Sequence, residues 1–399
     1  MKLADRLANL GTEPAFAVSV IAADWASKGN TVYPFHLGDI DLPTPSTLVE
    51  AMNRAIADGK TGYCPGPGIT PLREAIAADV NAKRGTHYTV DNITIQPGGK
   101  PVITKFLQAV MNPGDEVLFP NPGFPIYESQ IDYLGGVGRP YRFLPTATGF
   151  SIDLEQLRSL ITARTTAIIY NDLHNPTGAE SSDAEREAIA QLAIEHDLWV
   201  LSDEAYFETR YSGLSRSIAS IDGMAERTVI LYTFGKRFAM TGWRLGAGIT
   251  PAEMTPWFSR MNTNNESCTT HFVQYAGLAG LHGDQTEINQ IRDALRDRRD
   301  AAHAILASIP GIQVAKPECT FYLYPDVTEA LELVGARNLA DFTDRALHET
   351  GCSFCTRDHF GRPQPGEDRA YIRLAYSGIP IDRITEGLGK LRDWIGNPA

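Results

Sequence analysis

The chain has 399 residues, of which 43% are apolar and 21% charged, and its net charge at pH 7 is −12. This length fits a large domain with a smaller one, and the acidic balance argues against a nucleic-acid surface. No apolar run reaches the roughly 20 residues of a membrane helix, and the charged N-terminus is unlike a secretory signal. We therefore expect a cytoplasmic protein that contacts neither nucleic acid nor membrane.

The chain has five cysteines, an odd number, and they are scattered along the sequence. This pattern predicts no disulfide framework and fits a protein of a reducing compartment. Cys352 and Cys355 have the C-x-x-C spacing of half a zinc site or of a redox pair. No second pair of cysteines or histidines accompanies them, so two small buried thiols fit the pattern better. We expect no metal site.

The predicted elements begin with a helix near 18–26, followed by an irregular, Pro-rich stretch at 37–45. Short apolar runs then alternate with helical patterns. The runs predicted as strands are 92–96, 116–119, 167–171, 198–203, 229–233 and 245–249. Apolar strands separated by helices predict an α/β fold with a mostly parallel central sheet flanked by helices.

Ser182 and Glu185 form a capping box that predicts the start of a helix between two of these strands. A long amphipathic helix is predicted near 287–308, with strands at 321–325 and 371–376 after it. We predict a large domain over residues 48–288. Residues 1–47 and 289–399 are predicted to form a smaller α+β domain built from both termini.

Gly98 and Gly99 follow a predicted strand, and Pro101 suits the first turn of the helix that comes next. Glycines let a backbone approach an anion, and a helix N-terminus offers free N–H groups. A tight turn alone would also explain the glycine pair. Together with Thr233 and Arg244, the turn predicts a cradle for a dianionic phosphate.

Lys236 lies eight residues before Arg244. A lysine can form an imine with an aldehyde, so an amine beside a phosphate site suggests pyridoxal 5′-phosphate, which carries both groups. Asp203 ends a predicted strand, where it could hold a pyridine nitrogen protonated. The alternative is that Asp203 only caps the following helix.

Other polar and aromatic side chains follow the predicted strands. Asn175 and Tyr206 could donate hydrogen bonds to a phenolate oxygen, and Phe124 could stack on a ring. Arg373 lies on a short apolar strand and needs an anionic partner. A substrate α-carboxylate would supply one, and a structural salt bridge is the alternative.

Between residues 37 and 377 these segments, in this order, resemble the class I/II aminotransferases, enzymes of PLP fold type I. The matching segments are Tyr63 with the Gly and Leu-Arg-Glu that follow it, Gly98-Gly99-Lys100, Asn175-Pro-Thr-Gly, Asp203-Glu-Ala-Tyr206, Lys236 with Arg244, and Arg373. The signature before the lysine departs from the family pattern, since Gly235 replaces a common serine.

The resemblance implies that Lys236 forms the internal aldimine with pyridoxal 5′-phosphate and then moves a proton during exchange between an amino acid and a 2-oxo acid. Asp203 and Tyr206 are implied as its catalytic partners. Tyr63 would reach the phosphate of the neighbouring subunit, which implies a homodimer. Gly38 would lie against the substrate carboxylate.

Transamination is the leading interpretation. Elimination, cyclisation or oxidation of an amino acid on the same scaffold is the alternative, because small pocket changes redirect this chemistry. A regulator that binds the cofactor without turnover is a third class, although such proteins usually carry a basic DNA-binding segment ahead of the fold. Lys100 could recognise an acidic substrate side chain or be an exposed lysine, and residues 15–18 could line an apolar pocket instead.

Overall fold

A computed structural model describes residues 1–397, and a central eight-stranded sheet forms its core. The strands are β1 Tyr33–Pro34, β2 Ile93–Gln96, β3 Glu116–Asn121, β4 Val137–Thr146, β5 Gly149–Ile152, β6 Thr165–Tyr170, β7 Trp199–Asp203, β8 Thr228–Thr233, β9 Gly246–Ile249, β10 Tyr322–Leu323, β11 Cys352–Ser353, β12 Cys355–Thr356 and β13 Ile372–Ala375. The helices are α1 Pro14–Ser27, α2 Ser46–Ala57, α3 Thr70–Arg84, α4 Lys100–Val110, α5 Ile126–Tyr133, α6 Leu154–Ser159, α7 Asp183–Glu195, α8 Thr255–Asn265, α9 His271–His282, α10 Thr286–Leu306, α11 Thr328–Leu333, α12 Leu339–Thr350 and α13 Ile381–Gly396.

The large sheet has the order β2-β9-β8-β7-β6-β3-β4-β5. Strands β8, β7, β6, β3 and β4 run parallel to their neighbours in that series, whereas β9 and β5 run antiparallel to theirs. The parallel strands β6, β7 and β8 are apolar because helices cover both faces. Their carboxyl ends meet at one edge of the sheet, which is where ligands bind in such folds.

The prediction of a mostly parallel α/β sheet is confirmed, and each of the six predicted strands lies within two residues of an observed one. Strands β4 and β5 were not predicted from the sequence. Strand β4 carries Arg139, Pro140 and Arg142, and most of its residues are only half-buried or exposed. Charges and prolines are typical of strands near a sheet edge and hide the apolar pattern.

The capping box forms as predicted at the start of α7. Ser182 Oγ accepts from the Glu185 amide at 3.2 Å, and Glu185 Oε2 accepts from the Ser182 amide at 2.8 Å. These bonds satisfy two of the free N–H groups at this helix end. The helix between β6 and β7 therefore has a fixed start, which also fixes the loop that follows β6.

Two small sheets combine residues from distant parts of the chain. Strand β1 pairs in parallel with β11, while β13 pairs antiparallel with β10 and β12. An apolar cluster that includes Tyr33, Phe321 and Leu388 packs around them. The proposed domain limits at 47/48 and 288/289 stay a prediction. No helix within residues 1–397 has the length and apolar character needed to cross a bilayer.

The cysteines of the C-x-x-C segment lie on two short strands rather than one. The Cys352 thiol donates to the Gly387 carbonyl at 3.2 Å, and the Cys355 thiol donates to the His36 carbonyl at 3.3 Å. Both side chains are fully buried, and burial raises the pKa of the Cys352 thiol to about 12. These two thiols are therefore packed, protonated groups.

Candidate active site

A cleft of about 520 Å³ opens at the carboxyl ends of β6, β7 and β8, where the N-terminal segment and the small sheet of β10 and β13 close over it. The structure brings most of the predicted site residues together here. The predicted residues that line the cleft are Gly38, Gly99, Lys100, Phe124, Asn175, Asp203, Tyr206, Thr233, Lys236, Arg244 and Arg373.

Lys236 lies three residues after β8 and extends its amine into the cleft. Its Nζ donates to the Gly38 carbonyl at 2.8 Å and lies 5.1 Å from the centre of the Phe321 ring. Burial of the amine lowers its pKa to about 8, and the cations of Arg373 and Arg244 act in the same direction against nearby carboxylates. A large share of this amine is neutral at mildly alkaline pH, as a nucleophile or a base requires.

Asp203 ends β7 with its carboxylate buried in the cleft wall. Its Oδ2 accepts from the Tyr127 hydroxyl at 2.6 Å and its Oδ1 from the Ala205 amide at 3.1 Å. No lysine, arginine or histidine among residues 1–397 forms an ion pair with it. Burial raises the pKa of Asp203 in spite of these two bonds. A buried carboxylate of this kind favours any cationic group placed beside it.

One end of the cleft is built for an anion. Gly98 has φ +95°, and a Cβ on it would overlap the Arg244 guanidinium. A Cβ on Gly99 would lie 2.8 Å from Leu231 Cδ2. Arg244 has a left-handed backbone, and its Nη1 donates to the Thr241 carbonyl at 2.6 Å. Gly98 thus lets the turn before α4 approach Arg244 closely, and Gly99 lets the same turn approach Leu231 on β8.

Replacing Gly98 with alanine should lower the free energy of unfolding by about 1–2 kcal/mol, because alanine is strained at φ +95°, and the new Cβ should displace the Arg244 guanidinium. Gly114→Ala is the matched control, because Gly114 has φ +91° and open space around its Cβ position. It should cost about 1–2 kcal/mol. Urea unfolding measures both values, and phosphate should protect the wild type and Gly114→Ala against heat but not Gly98→Ala. Equal protection of Gly98→Ala and the wild type by phosphate would contradict the close approach of Arg244.

Arg373 lies on β13, lines the cleft and is buried. Its Nη1 donates to Asn175 Oδ1 at 3.0 Å, and its Nη2 donates to the His36 carbonyl at 2.7 Å. Within the described 397 residues, Nε has no hydrogen-bond partner and the guanidinium forms no ion pair. The alternative of a structural salt bridge is therefore not observed. The side chain keeps a free donor and an uncompensated charge for an anion.

Two tyrosines of the cleft, Tyr322 and Tyr127, were not predicted from the sequence. Tyr322 shares a hydrogen bond of 2.7 Å with Tyr206 through their hydroxyls, and its hydroxyl would overlap a Cβ on Gly38. Tyr127 holds Asp203 and packs edge-on against Phe124, with ring centres 5.7 Å apart. Tyr127 follows Phe124 by three residues, and this helical spacing could have indicated that both side chains face the cleft. No pattern near Tyr322 in the sequence indicates that it belongs to the cleft.

The family profile described as "Aminotransferase class I and II" matches residues 31–390. The chain belongs to the class I and II aminotransferase family. A probable aspartate/prephenate aminotransferase from Aquifex aeolicus is 33% identical over 396 residues, which cover 98% of each chain. Aspartate aminotransferase from Thermus thermophilus, solved with maleate, has a TM-score of 0.91 at 29% identity and covers 98% of this chain and 99% of its own. Alanine aminotransferase from Pyrococcus furiosus has a TM-score of 0.91 at 27% identity, with 99% and 100% covered.

The predicted family, fold type I architecture and transaminase activity are thereby confirmed. This aminotransferase exchanges an amino group between an amino acid and a 2-oxo acid. The three relatives are all named aminotransferases, and their names differ in substrate. Family membership therefore supplies the reaction, and the side chains of the cleft must supply the choice of substrate.

The structure also places three other predicted residues of the aminotransferase, Tyr63, Phe16 and Lys100. Tyr63 is 87% exposed and lies outside the cleft of its own chain. Phe16, in the segment predicted to line an apolar pocket, does line the cleft near Phe124. Lys100 also lines it, and its Nζ donates to Glu13 Oε2 at 2.6 Å. Glu13 had no role in the sequence analysis.

Proposed function

We propose that this aminotransferase works with pyridoxal 5′-phosphate bound in the cleft and joined to Lys236. The observation that carries the proposal is the combination of Asp203, a buried carboxylate without a cation in residues 1–397, with an amine whose pKa is lowered to about 8 in the same cleft. A protonated ring nitrogen would give Asp203 its missing counter-charge, and the neutral amine suits attachment of an aldehyde.

The phosphate would bind at the Gly98-Gly99 turn. The N–H groups at the start of α4, the Thr233 hydroxyl and the Arg244 guanidinium are the donors available there. The exposed Tyr63 would reach the phosphate of a second copy of the chain, so we propose a homodimer. Its 87% exposure and its place outside its own cleft support this role.

The α-carboxylate of the amino acid would bind to Arg373, whose Nε is without a partner in the described part of the chain. Asn175 already accepts from Arg373 and would also donate to the cofactor's phenolate oxygen, together with Tyr206. Gly38 leaves room at this point, because any side chain there would meet Tyr322. The arrangement fixes which end of the substrate faces Lys236.

When bound, the cofactor supplies an electron sink for the carbanion formed at the amino acid's α-carbon. Lys236 Nζ would take the proton from that carbon and later return it. Asp203 would hold the ring nitrogen protonated, and the Tyr127 hydroxyl would hold the carboxylate in place. The apolar walls around Phe124 and Phe321 would exclude water from the reacting atoms.

The part of the cleft that would receive the substrate's side chain favours an acidic amino acid. Lys100 offers a cation in the cleft, beside the ring of Phe124, at a centroid distance of 5.7 Å. The relatives from Aquifex aeolicus and Thermus thermophilus carry aspartate in their names. We therefore propose aspartate or glutamate as one of the two amino acids exchanged.

Borohydride reduction tests the proposal directly. The protein is incubated with pyridoxal 5′-phosphate, reduced, digested and weighed by mass spectrometry. We expect an adduct on the peptide that contains Lys236, and its rate of formation should rise with pH around the midpoint of about 8. An adduct on another lysine, or none, would contradict the assignment of Lys236.

A further inference from the structure

Glu13 places a carboxylate in the cleft from an unexpected position. It is the residue before α1, where a side chain often caps the helix, yet it makes no capping hydrogen bond. Its Oε2 instead accepts from Lys100 Nζ at 2.6 Å, across 87 residues of sequence. Both side chains line the cleft and remain partly exposed, at 23% for Glu13 and 46% for Lys100.

The charge of Glu13 acts on the reacting groups as well as on Lys100. It raises the pKa of Lys236, against the effect of burial, and also raises the pKa of Tyr322 and Arg373. The carboxylate therefore lies within electrostatic reach of the amine and of the substrate arginine. A second carboxylate entering the cleft would be repelled by it and would compete for the same ammonium.

Glu13 is also able to leave Lys100 at small cost. Partly exposed ion pairs contribute little to stability because water solvates both partners. Residues 1–10 ahead of it are all exposed. The segment rests on α5, through the bond from the Gly11 amide to Ser129 Oγ at 3.0 Å and through Arg6 over the Tyr133 ring at 5.4 Å. The carboxylate can turn toward solvent without unfolding the helix behind it.

We infer that Glu13 occupies on Lys100 the place of a substrate's side-chain carboxylate and thereby sets the choice between acidic and uncharged substrates. This inference rests on the proposed function. An acidic substrate displaces Glu13 and binds Lys100 in its place. An uncharged substrate leaves the Glu13–Lys100 pair closed, so that the cleft presents a neutral wall beside Phe16. A single cleft can then accept an amino donor and an amino acceptor whose side chains differ in charge.

The test compares Glu13→Gln with the wild-type holoenzyme. Succinate and butanoate are the probes, because they have the same chain length and differ by one carboxylate. We expect Glu13→Gln to raise the ratio of succinate to butanoate affinity by about tenfold, since the competing charge is gone. The ratio of kcat/KM for aspartate over leucine should rise in parallel. Lys100→Ala should abolish the preference for succinate with or without the Glu13 substitution.

Asp24→Asn is the matched control, because it removes a carboxylate from α1 that pairs with Lys28 outside the cleft. Its succinate to butanoate ratio should equal that of the wild type. An unchanged or lowered ratio in Glu13→Gln would overturn the inference. Failure of the proposed function would show separately, as a wild-type protein without an adduct at Lys236.

Discussion

Replacing Lys236 with alanine should lower kcat for transamination by about a thousandfold or more. The substitution removes the amine that donates to the Gly38 carbonyl in the cleft, and with it the proposed base for the α-proton. Positioned acid–base groups contribute about 10²–10⁴ in rate, and loss of the covalent link adds to that. Steady-state assays with aspartate and 2-oxoglutarate measure the change.

Lys316→Ala is the control for this experiment, because Lys316 pairs with Asp300 on the surface. It should retain wild-type kcat. Ethylamine added to Lys236→Ala should restore part of the rate, because a free amine can move the proton. Retention of kcat within about tenfold of the wild type by Lys236→Ala would contradict its role as the base.

Asp203→Asn should lower kcat by about 100-fold, which corresponds to about two pKa units of coupling between the carboxylate and a ring nitrogen. The same substitution should raise the free energy of unfolding of the cofactor-free protein by about 1 kcal/mol, because an unpaired buried charge is removed. Rate and stability are thus expected to change in opposite directions. Steady-state assays and urea unfolding measure them.

Tyr127→Phe is the matched variant, since it removes the bond to Asp203 Oδ2 and keeps the charge. It should lower kcat by about tenfold, the usual worth of one hydrogen bond to a charged group. A kcat for Asp203→Asn within about threefold of the wild type would contradict its charge-pairing role. In that case Asp203 would serve only to cap the turn through the Ala205 amide.

The parallel strands and the residues that follow them could be predicted because two simple physical patterns mark them. Buried strands are apolar, so a polar residue at the end of such a run, such as Asp203, or in the loop after it, such as Asn175, stands out. Glycine pairs before a helix mark a close approach, which the overlap at Gly98 bears out. Strands β4 and β5 lacked the apolar pattern and were missed.

Glu13 and Tyr322 could not be predicted, for a different reason. Their partners Lys100 and Tyr206 lie 87 and 116 residues away in sequence. Such contacts depend on how the N-terminal segment and the small sheet pack over the large one, and no local pattern encodes that packing. The role of Tyr63 stays a prediction for the same reason, since its proposed partner is another chain.

The pairing of β1 with β11 and the late position of β13 have a consequence for synthesis on the ribosome. Strands β2 to β9 emerge from the ribosome before β10 to β13, because synthesis follows the order of the chain. A nascent chain released after β9 already contains Lys236 and Asp203 but not Arg373. Translation thus makes the residues proposed to hold the cofactor before Arg373, which is proposed to bind the amino acid. A product that ends after β9 lacks Phe321 and the Arg373 cation, so the pKa of Lys236 should be less lowered and its amine less reactive.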